Sequence, residues 1–157
     1  MRMETGYELF SPAPNSRRAM ALCLAMIVAA DGRFSESELA HILSVALPEI
    51  NQMGDQRARA RRLKPQRPVM IHEFRSIYDA CVLAIGGSGV PDDQFVARVL
   101  ATVTEPESRE QLFDLMMRTA CSDGLDLRRE LGLLRYCSEV WGLEPGRWAE
   151  LAADLET

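Results

Sequence analysis

Four carboxylates repeat one spacing along the chain. Asp31 and Glu38 form one pair, Asp123 and Glu130 the other, and in each an aspartate is followed at once by glycine and seven residues later by glutamate. Acidic oxygens without a clustered imidazole or thiol suit a hard divalent cation, calcium, magnesium or manganese, better than zinc or copper. A second chemistry fits the same residues. Ser35 and Glu38 have the S-x-x-E spacing of a capping box, and Asp123 or Asp126 can cap the helix that follows the second corner. Two readings therefore stand side by side: corners that hold a metal, and corners that only cap helices.

The pairs belong to longer matching stretches. Residues 24–46, LAMIVAADGRFSESELAHILSVA, align with residues 116–138, MMRTACSDGLDLRRELGLLRYCS, at a constant offset of 92. Gly32 then matches Gly124, Leu39 matches Leu131 and Ile42 matches Leu134. Each copy reads as an apolar helix, an Asp-Gly corner where glycine turns the chain, and a glutamate in the first turn of the next helix. The interval equals that of the second half of an EF-hand loop, but the positions that would supply the first ligands hold Ile27 and Ala29 in one copy and Thr119 and Cys121 in the other. These are not EF-hand ligand sets.

Other chemistry finds less support. Glu38 and His41 make half of a Glu-x-x-His di-metal motif, but Val69 occupies the matching position before His72. Ser35, Ser88 and Ser122 lack a base and an orienting partner in the sequence, so no hydrolase is indicated and the chain is expected not to be an enzyme, with a metal-dependent enzyme as the weaker alternative. Gly86-Gly87-Ser88-Gly89 lacks the lysine of a phosphate-binding loop and reads as a helix-breaking turn. Cys23, Cys81, Cys121 and Cys137 are far apart, each in an apolar helical stretch, and are expected to be buried thiols rather than zinc ligands or disulfides.

The elements that must place the corners are all helical, since the hydrophobic period is 3.6 nearly everywhere and no alternating strand pattern appears. Residues 16–30 form a first helix, apolar nearly all round. Ser35 starts a second, with Leu39, Ile42, Leu43 and Ala46 on its buried face up to Pro48. Further helices cover 69–85, 91–104, 106–122 and 126–141, and a last one begins at Glu144-Pro145-Gly146. That makes an all-α single domain over 1–157, a bundle of seven or eight helices with an internal pseudo-repeat, preceded by an extended tail at 1–14. The polar stretch between Glu49 and Pro68 suggests a short helical piece followed by a basic loop, assigned to 51–68.

At 157 residues the chain has enough length for one substantial core. Its net charge of −5 argues against general attraction to nucleic acid or anionic membranes. The basic residues Arg57, Arg59, Arg61, Arg62, Lys64 and Arg67 are the exception. This segment is expected to be a solvated loop or a contact for a protein or membrane surface, not for nucleic acid, because aromatic residues are not interleaved with it. No secretory signal or membrane-length apolar run is read from the sequence, so a cytoplasmic location is expected, with peripheral contact at the inner membrane through residues 57–67.

The A-D-G corner, the glutamate seven residues after the aspartate, its second copy and the trailing W-G-L-E-P segment at 141–145 together resemble the TerB tellurite-resistance family and the related N-terminal region of DjlA-type co-chaperones. The resemblance covers roughly residues 19–155. It implies a compact helical bundle of pseudo-symmetric halves that acts in stress response and assembles with a protein partner. It also implies a divalent cation held by Asp31, Glu38, Asp123 and Glu130. Asp126 departs from the pattern, standing where the first copy has Phe34.

Overall fold

The computed structural model describes residues 12–30, 35–64, 66–85, 93–121 and 127–143, with residues 30, 93, 121 and 127–131 described by backbone alone. In chain order the helices are α1 (Arg17–Ala30), α2 (Glu36–His41), a π-helical turn (Ile42–Ala46), α3 (Leu47–Ala60), α4 (Ile71–Ile85), α5 (Asp93–Leu100), α6 (Pro106–Cys121) and α7 (Leu127–Trp141). No strand occurs among the described residues. Since α2, the π turn and α3 are continuous, these elements form six helical rods. The expected last helix and the tail at 1–11 lie outside the described residues.

Helix α1 is the axis of the bundle. Its side chains from Ala19 to Ala29 are all buried, and it packs against α3, α4, α5, α6 and α7. A helix apolar on every face is stable in water only if every face is covered. Ala19, Ala21, Ala25 and Ala29 are small enough to let neighbours approach, while Met20, Leu22, Leu24, Met26 and Ile27 fill the spaces between them. Full burial of each such large side chain contributes about 1.5–3 kcal/mol. Phe74 and Ile77 of α4, and Leu112, Phe113 and Met116 of α6, complete the core from two sides. Trp141 closes it beneath α5, its indole Nε1–H donating to the Leu100 carbonyl at 3.0 Å.

Pro48 does not end the second helix, contrary to the sequence expectation. The chain widens into the π turn, where the Leu47 amide bonds to the Ile42 carbonyl, and then continues as α3 to Ala60. Proline cannot donate to the carbonyl four residues back and its ring crowds that carbonyl. A wider turn just before it moves the clash away, so the helix survives. The stretch assigned to a basic loop, 51–68, is accordingly helical over its first ten residues. Its far end is tied down as well: the Val69 amide donates to Asn51 Oδ1 at 2.8 Å and Asn51 Nδ2 donates back to the Val69 carbonyl at 3.2 Å.

Two helices end in the same hydrogen-bond pattern. At the end of α7 the Leu143 amide reaches the Ser138 carbonyl at 2.9 Å and the Gly142 amide reaches Glu139 at 3.2 Å, with Gly142 at φ 66°. At the end of α3 the Leu63 amide reaches Ala58 at 2.8 Å and the Arg62 amide reaches Arg59 at 3.3 Å. Here the left-handed position, φ 54°, is held by Arg62 rather than by glycine. Both are Schellman turns, which return the chain over the last helical turn. None of the helices among the described residues is long and apolar enough to cross a membrane.

Candidate functional site

The first acidic corner is described at its helical side. Ser35 has extended backbone, φ −70° and ψ 160°, and stands at the N-cap of α2. Its Oγ accepts the Glu38 amide at 3.1 Å and donates to Glu38 Oε1 at 3.2 Å. The S-x-x-E spacing therefore makes a cap as expected, although the glutamate is met by the serine hydroxyl. Glu38 is 1% exposed. A carboxylate removed from water to that degree is tolerated where hydrogen bonds, charge or a cation stabilise it, and the first turn of a helix adds a favourable local field.

The remaining expected ligands are less visible. Asp31 and Asp123 lie outside the described residues. Glu130 lies in the first turn of α7, where the backbone alone is described. Among the described residues no group of three or more histidine, cysteine or acidic side chains could hold a metal ion.

Among the described residues, a polar contact joins α2 to α6. His41, one helical turn after Glu38, shares a 3.1 Å hydrogen bond through Nε2 with the hydroxyl of Thr119, four residues before Asp123. Thr119 is fully buried and its hydroxyl donates to the Leu115 carbonyl at 2.8 Å. That hydroxyl has one proton, so the His41 Nε2–H is the donor across the pair. His41 is partly buried. Desolvation, then repulsion from Arg118, lowers its pKa below the ordinary histidine value, while Glu49 acts in the opposite direction.

Arg118 fixes the outside of this junction. Its Nη2 meets Glu49 Oε1 at 2.7 Å and its Nε meets Asp114 Oδ2 at 3.0 Å. Hydrogen bonding to Glu49 is the main cause that raises the Arg118 pKa. Sequence reasoning missed this junction. Its one legible signal was the hydroxyl of Thr119, standing in an apolar helix where the matching position of the first copy is Ile27.

The described thiols offer no nucleophile. Cys23, Cys81 and Cys137 are buried and free, and burial pushes the pKa of Cys23 and of Cys81 up to about 12 and that of Cys137 up as well. Such thiols remain protonated near neutral pH and behave as small apolar side chains. The side chain of Cys121 lies outside the described residues.

The basic segment is partly neutralised from within the chain. Glu105 accepts Arg57 Nε at 3.0 Å and Arg61 Nε at 2.8 Å. Arg17, at the start of α1, pairs with Asp55.

In comparisons with known proteins, a family model described as tellurite resistance protein TerB matches residues 16–153. No curated protein and no solved structure matches the chain.

Proposed function

The chain belongs to the TerB family, and from that premise we propose that it is a non-enzymatic tellurite-resistance-type module that binds a divalent cation at its acidic corners and assembles with another protein. Asp31 and Glu38 supply one side of the cation site, and Asp123 and Glu130 the other. The observation that carries the reading is the near-complete burial of Glu38 beside the His41–Thr119 contact. A hidden carboxylate next to a junction between the two matching segments is where a shared cation would offset like-charge repulsion. Chain length is compatible with this. Asp123 is four residues from Thr119, a span of at most about 14 Å.

Oxygen ligands alone favour calcium, magnesium or manganese. A second reading, corners that only cap helices, draws on the Ser35–Glu38 hydrogen bonds. Calorimetric titration of the full chain with each cation separates the two. The cation reading expects saturable heat and a higher melting temperature, both lost in the double variant Asp31→Asn, Asp123→Asn, because a ligand that binds only the folded state stabilises it by about 2.7 kcal/mol at a hundredfold excess over Kd. A folded protein that gives no response at millimolar cation leaves the caps as the whole function of these residues.

A further inference from the structure

A second region gathers the opposite charge. A cavity of about 200 Å3 lies where the start of α1 meets the end of α3, walled by Asn15, Arg17, Gly54, Arg57, Leu63 and Lys64. Three local features shape it. Gly54 leaves room for Arg17 to lie across α3, since a Cβ there would stand 2.6 Å from Arg17 Cγ and Nε. Asn15, held in the left-handed conformation, accepts the amides of Thr104 and Glu105 at 2.8 and 3.2 Å and so anchors the chain just before α1. The Schellman turn at Arg62 then returns Leu63 to the Ala58 carbonyl, and Lys64 follows it at the cavity wall.

Among the described residues, the charges around this cavity do not cancel. Arg17, Arg57 and Lys64 line it, with Arg61 close by through the Glu105 carboxylate that it shares with Arg57. Facing these four cations are Asp55 on Arg17 and Glu105 on Arg57 and Arg61. Lys64 makes no ion pair among the described residues. The described residues thus leave a local surplus of positive charge in a chain whose net charge is −5. Walls that exclude water on one side strengthen the field of such a surplus.

We propose that this cavity binds a phosphate-class oxyanion, as free phosphate or as the phosphomonoester headgroup of a lipid. Guanidinium and ammonium groups converging on one space are the donor set that such an anion takes. One water needs only about 10–15 Å3 of accessible cavity volume, so the space admits an oxyanion with part of its hydration shell. Aromatic platforms for bases are absent from the described lining, which separates the site from a nucleic-acid groove.

The test uses the full chain with inorganic phosphate titrated at constant ionic strength, followed by calorimetry and by NMR shifts of Arg17, Gly54, Arg57 and Lys64. Saturable binding is expected, weakened about threefold to tenfold by Lys64→Gln, an exposed change that removes one charge-assisted contact. Arg57→Gln is expected to weaken it further, with circular dichroism confirming the fold. Arg67→Gln, outside the cavity, leaves it unchanged.

Phosphatidylcholine vesicles with and without phosphatidic acid form the second arm. Binding that requires phosphatidic acid, is reduced in Lys64→Gln and is displaced by phosphate identifies a lipid headgroup. Phosphate binding without vesicle binding identifies the free anion. No saturable response in either arm, or an Arg67→Gln loss as large as that of Lys64→Gln, overturns the proposal, since the attraction would then be absent or merely diffuse.

Discussion

Glu38 and Arg17 are both charged and both almost removed from solvent, yet they are stabilised in different ways. Glu38 bonds to Ser35, three residues away, through a cap that any helix of this sequence could form. Arg17 pairs with Asp55, 38 residues away, and lies over Gly54, so its environment exists only once α1 and α3 have come together. The difference shows two routes to a buried charge. A local motif supplies part of the hydrogen bonding of its charge from within one helical turn, whereas a long-range pair depends on the fold that it also helps to hold.

The strongest way to break this comparison is to remove the distant partner. Asp55→Ala is expected to destabilise the fold by about 2 kcal/mol, below the ~3–5 kcal/mol of a fully buried pair because Asp55 is half exposed and Arg17 regains some water. Denaturant melts measure it, and a loss under about 0.5 kcal/mol would place Arg17 with ordinary surface charges.

Removing the local partner should cost less. Ser35→Ala loses the cap of α2 and is expected to lower stability by about 1 kcal/mol, read by the same melts. A much larger loss would mean that the Glu38 carboxylate depends on Ser35 for more than capping.

The smallest effect sharpens the acidic side alone. The lowered pKa of His41 means that the folded protein prefers the neutral ring. Below the ordinary value of about 6.5 the unfolded chain takes up more protons at this residue, so its contribution to stability is full above that value and is lost as pH falls towards the folded pKa. Melting temperature should therefore fall on acidification just below that pH, and the slope should flatten in His41→Gln. An identical slope in the variant would assign the effect to groups other than His41.

Much of the helical frame could be read before any coordinates. The apolar run from Ala19 gave α1, Ser35 its neighbour's start, Pro106 the start of α6 and Gly142 the end of α7, because each signal acts within one or two helical turns. The misplaced boundary at Pro48 has the same origin. Proline forbids one local hydrogen bond, and whether a helix ends or widens around it depends on the packing of Ile42, Ala46 and Leu47 against the rest of the bundle.

The candidate site divides along the same line. The sequence alone determined the all-helical class, the spacing of Asp31, Glu38, Asp123 and Glu130, and the capping box, since these depend on residue type and short intervals. Only the tertiary structure decided that Glu38 is hidden, that His41 meets Thr119, and that Arg17, Arg57 and Lys64 share one cavity. Burial and charge balance are properties of surfaces brought together by the core, and the residues that meet there are separated by tens of positions along the chain.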